Sequence, residues 1–332
     1  MKPLGRTGPE TSRLGLGCMA MSNAYGPADE DRSVDTIHHA IERGVNLIDT
    51  GDFYGMGHNE MLVSRALKRI GRGARDSLVV SVKFGALRGP DGAFLGVDGR
   101  PSSVKAFCAY SLARLRIDHI DIYRPARLDP DVPIEETAGA VAELIEAGYV
   151  RHLGLSEVGP ETIRRAHAVT PVCDLQIEYS LMSRGVEDAI LPTLRDLGIG
   201  MTAYGVLSRG LIADEPRDGG PMKGRMPRFS DENYEHNRQL VSRLKEVAAT
   251  HRLTTSQLAF AWVAAQGSRH GVTIVPLIGT TRAERVDEAL AALDVGLTEA
   301  DLDAIAEALP ASEVAGTRYD AHQMQMLDSE RS

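Results

Sequence analysis

The stretch Val45-Asn46-Leu47-Ile48-Asp49 is a short apolar run that ends on a carboxylic acid. Two further runs have the same form: residues 78–83 end on Lys83, and residues 119–123 end on Tyr123. Runs that are apolar almost without interruption are typical of parallel strands whose outer face is covered by helices. We therefore expect a parallel sheet that presents polar residues where its strands end.

Eight such runs are distributed along the chain, and helical patterns separate them. The strands are expected at residues 13–16, 45–49, 78–83, 120–123, 150–155, 175–179, 200–203 and 273–277. The helices are expected near 30–43, 58–70, 102–116, 133–147, 160–168, 186–197, 232–250, 255–266, 282–292 and 298–309. This alternation predicts a (β/α)₈ TIM barrel as a single domain over residues 1–332.

Segments outside the alternation have predicted places around the barrel. A hairpin of residues 4–7 and 11–13 is expected to cap the barrel floor, and residues 311–332 form a C-terminal tail with little core signal. Two long segments, 86–101 and 205–231, follow the third and seventh strands. Since active sites of such barrels lie at the C-terminal ends of the strands, we expect both segments near the site.

A doubly wound sheet is the competing architecture. Residues 15–20 match the Gly-x-Gly-x-x-Ala dinucleotide fingerprint, which requires a helix to open directly after it. Here residues 21–27 follow, and they end in Gly26-Pro27 and have the composition of a loop. The sequence therefore favours the barrel.

The composition limits the classes of function. The chain has 332 residues, 43% of them hydrophobic and 25% charged, with a formal net charge of −9. A net negative charge argues against general binding of nucleic acids or anionic membranes. The sequence has no signal peptide pattern, no apolar run long enough for a membrane span and three widely spaced cysteines. These features predict a cytoplasmic protein with reduced thiols, and no metal-ligand spacing is present, so no metal is expected.

Asp49, Lys83 and Tyr54 form the candidate catalytic group. A buried lysine and a buried aspartate each cost several kcal/mol unless they are paired, so Asp49 and Lys83 are each other's expected partners. A structural salt bridge would explain these two residues alone. Tyr54 lies five residues after Asp49 in a glycine-rich turn. A nearby ammonium lowers the pKa of a phenol, and this makes the phenol a better acid near neutral pH.

The sequence resembles the aldo-keto reductase family over nearly the whole chain. The resemblance is carried by residues 49–55 with Asn59-Glu60, by the strand that ends on Lys83, and by four later segments. These are residues 154–157, Gln176, residues 203–210 and residues 274–280. The resemblance implies a barrel that binds NADPH or NADP across its mouth and transfers a hydride to a small-molecule aldehyde or ketone. We expect a monomer or weak oligomer.

The resemblance also implies roles for individual residues. Tyr54 protonates the substrate oxygen, Lys83 lowers its pKa, and Asp49 supports Lys83. Ser156 and Gln176 meet the nicotinamide carboxamide, Tyr204 stacks on the nicotinamide ring, and residues 205–210 run along the pyrophosphate. The adenosine end is held by Gly279, Thr280, Arg282, Arg285 and Glu288. The two arginines face the 2′-phosphate, although two such arginines more often lie on a solvated helix face. The cofactor-binding residues expected in this way are Gly17, Cys18, Met19, Asp49, Ser156, Glu157, Gln176, Tyr204, Gly205, Val206, Leu207, Ser208, Arg209, Gly210, Ile278, Gly279, Thr280, Arg282, Arg285, Glu288 and Ala289.

Position 126 is the main departure from the family, besides Glu157 and Ala289, which stand where relatives often have Asn. Ala126 stands where relatives usually have a histidine that donates a hydrogen bond to the substrate carbonyl. Losing such a donor typically costs about 10²–10³ in rate. Three explanations compete: a working reductase in which Tyr54 acts alone, a substitute donor, or an NADP(H)-binding redox sensor with weak residual activity. The candidate substitutes are Arg124, His58 and Arg127.

Overall fold

The computed structural model describes residues 1–24, 26–70, 75–216, 218, 223–224 and 226–331. Its centre is a closed barrel of eight parallel strands. The barrel strands are β3 (Gly15–Gly17), β4 (Leu47–Gly51), β5 (Val79–Phe84), β8 (Ile120–Pro125), β9 (Val150–Ser156), β10 (Val172–Glu178), β11 (Gly200–Tyr204) and β12 (Ile274–Gly279). Around the barrel they follow one another in the order β10-β11-β12-β3-β4-β5-β8-β9. The predicted (β/α)₈ barrel is confirmed.

Helices surround the barrel and bury their apolar faces against it. They are α1 (Glu30–Glu42), α2 (His58–Ile70), α3 (Pro101–Leu115), α4 (Ile134–Glu146), α5 (Pro160–Val169), α6 (Ile190–Leu197), α7 (Asp231–Thr250), α8 (Thr255–His270), α9 (Ala283–Ala292) and α10 (Glu299–Ala308). In α1 the side chain of Asp29 accepts a hydrogen bond from the backbone of Arg32, and in α8 Thr254 and Gln257 form a capping box. These caps satisfy backbone donors that the first turn of a helix leaves unpaired.

The barrel floor is closed by the N-terminal segment. Two short antiparallel strands, β1 (Lys2–Pro3) and β2 (Glu10–Thr11), form the hairpin. The predicted strands at 4–7 and 11–13 were therefore placed wrongly, because Leu4 leaves the hairpin and packs into the floor. Leu4 is fully buried in a cluster that includes Leu47 and Cys173.

Both long segments have structure of their own. Within 86–101, the strands β6 (Ala86–Arg88) and β7 (Phe94–Val97) form an antiparallel hairpin. Within 205–231, short 3₁₀ helices lie at Ser208–Gly210 and Pro227–Phe229. Positions 217, 219–222 and 225 of this segment lie outside the described residues.

The C-terminal tail packs back onto the barrel mouth. It contains a 3₁₀ helix at Ala311–Glu313, α11 (Ala321–Gln325) and a second 3₁₀ helix at Asp328–Glu330. Asn237 of α7 exchanges two hydrogen bonds of 2.9 Å with the backbone of Ala315. Asp328 accepts a hydrogen bond of 2.8 Å from the backbone of Gly159, just after β9. The tail therefore crosses the end of the barrel at which the candidate site lies.

In the parts of the chain that the structure describes, every helix is too short or too polar to traverse a lipid bilayer.

Candidate active site

Asp49 and Lys83 form a buried ion pair at the C-terminal ends of β4 and β5. A second oxygen of Asp49, Oδ2, accepts hydrogen bonds of 2.9 Å from Ser81 Oγ and from Gln176 Nε2. The ammonium of Lys83 lies 5.4 Å from the centre of the Tyr54 ring. The structure thus brings together the three residues predicted as catalytic.

Burial and charge act in opposite directions on this pair. Burial raises the pKa of Asp49, but the positive charges of Lys83 and Arg124 and the hydrogen bonds outweigh it, so the pKa lies below its ordinary value. For Lys83, burial lowers the pKa, and Asp49 only partly offsets this effect. A lysine whose charged form is disfavoured by burial depends on its carboxylate partner.

Tyr54 is positioned by a tight turn after β4. Gly55, Met56 and Gly57 all have positive φ, at 56°, 54° and 92°. The first residues of α2 then fix the turn, because Asn59 accepts a hydrogen bond of 2.6 Å from Thr50 Oγ1 and donates one of 2.8 Å to the carbonyl of Cys18. The side chain of Asn59 therefore ties the end of β4 to the loop after β3.

Ala126 follows directly after β8 and lies beside the end of β5. Its backbone donates a hydrogen bond of 2.8 Å to the carbonyl of Phe84, and the residue is only 2% exposed. Two predicted substitute donors are engaged elsewhere. Arg124 is fully buried inside the barrel, where it contacts Asp174 at 3.1 Å. His58 contacts Ser22 and Glu30 at 2.9 and 3.0 Å.

At the predicted nicotinamide end, four residues lie on three neighbouring strands. Ser156 and Gln176 are buried at the ends of β9 and β10, and the Gln176 amide also donates to Thr202 Oγ1 at 3.3 Å. Glu157 is buried with a positive φ of 56°. Tyr204 ends β11, and its hydroxyl donates a hydrogen bond of 2.6 Å to Glu157 Oε1.

Glu157 is held by residues of the C-terminal tail. Arg318 donates to both carboxylate oxygens of Glu157, at 2.8 and 2.5 Å, and Ser329 donates to Oε2 at 3.0 Å. The Tyr319 hydroxyl lies 2.9 Å from that of Tyr204. Burial raises the pKa of Glu157, but Arg318 outweighs burial and the pKa is lowered to about 2. The carboxylate is therefore ionised at neutral pH.

Residues 205–210 form a winding loop next to Tyr204. Gly205, Ser208, Arg209 and Gly210 have positive φ, at 70°, 44°, 58° and 94°. The backbone N–H groups of Ser208 and Gly210 donate to the carbonyls of Gly205 and Leu207, at 2.7 and 2.8 Å, so the loop is closed by its own hydrogen bonds. Arg209 contacts Glu178 at 3.1 Å, and its guanidinium lies 4.8 Å from the centre of the Tyr319 ring. In this structure Arg209 is thus committed to protein groups.

The predicted adenosine end lies at the start of α9. A small pocket of about 20 Å³ is lined there by Leu207, Ser256, Gln257, Phe260, Ile278, Arg285, Glu288 and Ala289. Of these, Ser256, Gln257 and Phe260 of α8 were not predicted. Within the described residues, neither Arg282 nor Arg285 forms an ion pair with a carboxylate. Gly279 and Thr280 complete this rim, where Gly279 is exposed and Thr280 buried.

The loop after β3 adjoins this end. Gly17 pairs with Gly279 on one side and with Asp49 on the other, so it joins the two halves of the predicted site. Cys18 is fully buried, and burial raises the pKa of its thiol far above the ordinary value. Met19 begins a short 3₁₀ helix and is partly buried. The buried, neutral thiol of Cys18 is unsuited to nucleophilic chemistry.

Sequence reasoning missed the acidic and basic residues that link the mouth to the tail. Glu178 ends the apolar strand β10 and is paired with Arg209 and Arg228. A carboxylate in a buried strand requires a partner, so Glu178 was a detectable signal. Arg318 and Tyr319 had no comparable signal, because they lie in a segment without periodic pattern.

Comparisons with known proteins agree with this architecture. A model described as the Aldo/keto reductase family matches residues 13–310. A probable aldo-keto reductase 1 of Glycine max is 41% identical over 324 residues, which cover 95% of this chain and 90% of that protein. A glycerol dehydrogenase from Gluconobacter oxydans superimposes with a TM-score of 0.82 at 26% identity, covering 96% of this chain and 97% of that one.

A second solved structure is similarly close. The holo form of an aldo-keto reductase from Bacillus halodurans has a TM-score of 0.77 at 26% identity, with 97% of this chain and 98% of that chain covered. The match of the family model over most of the chain, together with the 41% identical relative, establishes the assignment. This chain belongs to the aldo-keto reductase family.

Proposed function

We propose that this protein reduces an aldehyde or ketone to the alcohol with NADPH, and that Tyr54 donates the proton. The observation that carries the proposal is the placement of the Lys83 ammonium, 5.4 Å from the centre of the Tyr54 ring and paired with buried Asp49. A cation near a phenol stabilises the phenolate that remains after proton transfer. A general acid in this position typically contributes about 10²–10⁴ in rate.

The rim residues fit a phosphorylated dinucleotide. Arg282 and Arg285 offer two guanidinium groups that, among the described residues, have no carboxylate partner, and such groups bind phosphate in a bidentate manner. NADPH supplies a hydride when bound. The residues of this chain bind and orient it, and Tyr54 provides the proton.

Ala126 supports a specific form of this mechanism. With no side-chain donor at this position, Tyr54 alone supplies both the hydrogen bond and the proton to the substrate oxygen. Arg124 does not replace the donor, since it is paired with Asp174 in the barrel interior. A small side chain at position 126 also leaves more room for a bulky substituent on the substrate than histidine would.

The same alanine favours a second candidate function, an NADP(H)-binding redox sensor with weak residual activity. Single-turnover and multiple-turnover oxidation of NADPH, measured with a panel of aldehydes and ketones, separate the two. A reductase shows fast single turnover and sustained multiple turnover with at least one carbonyl compound. Tight cofactor binding with slow single turnover for every compound would favour the sensor and contradict the reductase.

A further inference from the structure

Arg127 is a partly buried cation next to the candidate site. It follows Ala126 at the C-terminal end of β8, and its guanidinium donates a hydrogen bond of 2.6 Å to the carbonyl of Ala126. Among the described residues, no carboxylate forms an ion pair with Arg127. A guanidinium that is withdrawn from water without an anionic partner is costly to keep, so an arginine in this state is suited to binding an anion.

The ionised carboxylate that acts on Arg127 is paired with another arginine, Arg318. Burial opposes the charge of Arg127, while Tyr204, Tyr319 and Glu157 outweigh burial and raise its pKa. Glu157 receives both hydrogen bonds of the Arg318 guanidinium and one from Tyr204. Because the tail supplies Arg318 to Glu157, Arg127 has no direct counterion in the described part of the chain.

The position of Arg127 in the barrel places it on the substrate side. In the closed strand order, β8 lies between β5, which carries Lys83, and β9. Most of the residues expected to hold the nucleotide lie on or after β9 through β12 and β3, and Asp49 lies on β4. A carbonyl carbon placed between Tyr54 and Tyr204 would therefore direct one of its substituents toward the end of β8.

We propose that Arg127 binds a carboxylate group of the substrate, so that the preferred substrates are aldehydes or ketones that also carry a carboxylic acid. The guanidinium presents paired N–H donors that match the two oxygens of a carboxylate. One cation beside the ionised Glu157 suits a monoanion better than a phosphate dianion, which Glu157 would repel more strongly. This inference rests on the proposed carbonyl reductase function.

The test compares two aldehydes of the same shape, 4-carboxybenzaldehyde and the neutral 4-formylbenzamide, with the full-length protein and NADPH. Wild type is expected to favour the acid in kcat/KM by about tenfold or more, the usual range for a hydrogen-bonded charge pair. Arg127→Met should remove this preference through a higher KM for the acid, while it lowers kcat/KM for the amide by about threefold or less. Arg127→Lys should retain part of the preference, since it keeps the charge without the planar donors.

Other outcomes overturn the inference. Wild type without a preference for the acid contradicts it, and so does an Arg127→Met protein that keeps the wild-type preference. An equal loss of kcat with both aldehydes would instead make Arg127 a donor to the reacting carbonyl. If neither aldehyde is reduced, the proposed function fails for these compounds, and binding of the two alcohols, measured by calorimetry, then tests the carboxylate site.

Wild type with NADP should bind 4-(hydroxymethyl)benzoate more tightly than 4-(hydroxymethyl)benzamide, and Arg127→Met should bind both equally weakly. Equal binding by wild type contradicts the site.

Discussion

Arg318 of the C-terminal tail donates two hydrogen bonds, of 2.8 and 2.5 Å, to the carboxylate of Glu157 at the end of β9. Both side chains are buried, at 6% and 0% exposure. The pair therefore joins a segment with little hydrophobic signal to the residue that neighbours the expected nicotinamide site. Together with the hydrogen bonds of Asn237 to Ala315 and of Gly159 to Asp328, this pair holds the tail over the barrel mouth, and it supplies the counterion of Glu157.

Removing one partner of this ion pair should destabilise the protein more than removing both partners. Arg318→Met leaves a buried carboxylate without its cation, for which we expect a loss of about 3–5 kcal/mol in the free energy of unfolding. The double variant Glu157→Gln/Arg318→Met lacks both charges of the pair, while Glu178 keeps Arg209 and Arg228 as partners, and it should recover most of that loss. Urea unfolding of wild type, both single variants and the double variant measures this cycle. A double variant as unstable as Arg318→Met would show that the pair itself is not the cause.

Asp52 should make stability depend on pH near neutrality. Burial, and to a smaller extent the charge of Glu60, raise the pKa of Asp52 to about 7. The unfolded protein has the ordinary pKa, near 4. Between about pH 4 and pH 7 the folded protein therefore keeps a proton on Asp52 that the unfolded protein has lost. Stability therefore falls as pH rises through this range. Thermal melts at several pH values should show Asp52→Asn gaining stability over wild type between pH 5 and pH 8. A constant difference between the two proteins would exclude an elevated pKa for Asp52.

Arg282 and Arg285 should confer preference for the phosphorylated nucleotide. Replacing either by alanine removes a charge-assisted contact worth about 1.5–3 kcal/mol, which corresponds to a roughly 10- to 150-fold higher Kd for NADPH. The Kd for NADH, which lacks the 2′-phosphate, should change much less. Arg243→Ala is a matched control, because Arg243 is exposed on α7 and contacts only Glu313 at 3.3 Å among the described residues. Equal losses for NADPH and NADH, measured by calorimetry, would contradict contact with the 2′-phosphate.

Ala126→His should restore a donor beside the reacting oxygen. We expect turnover of small aldehydes to rise by tenfold or more, up to the about 10²–10³ that such a donor typically contributes. Turnover of bulky ketones should fall, because histidine occupies more of the space. Ala126→Leu is the control, since it adds volume without a hydrogen-bond donor. It should reduce activity with bulky ketones and give no gain with small aldehydes. Identical kinetics for the histidine variant and wild type would place position 126 away from the substrate.

The barrel could be predicted from the sequence because its strands are local, almost continuously apolar runs. Asp49 and Lys83 could be predicted as partners because a charge at the end of such a run requires a counterion. The contact between Arg318 and Glu157 could not be predicted, since the two residues are 161 positions apart and no periodic pattern links them.

The predicted start of α6 was wrong, because the helix begins at Ile190 and not at 186. Before it, Arg184 and Glu187 form an ion pair with each other at 2.8 Å within a turn.

The proton donor is the central claim, and NADPH oxidation by Tyr54→Phe tests it most directly. The variant keeps the ring beside Lys83 and loses only the hydroxyl, so cofactor binding should persist. We expect kcat with a reactive aldehyde to fall by about 10²–10⁴, the usual contribution of a general acid. A Tyr54→Phe protein that binds NADPH and reduces the aldehyde at the wild-type rate would contradict the account.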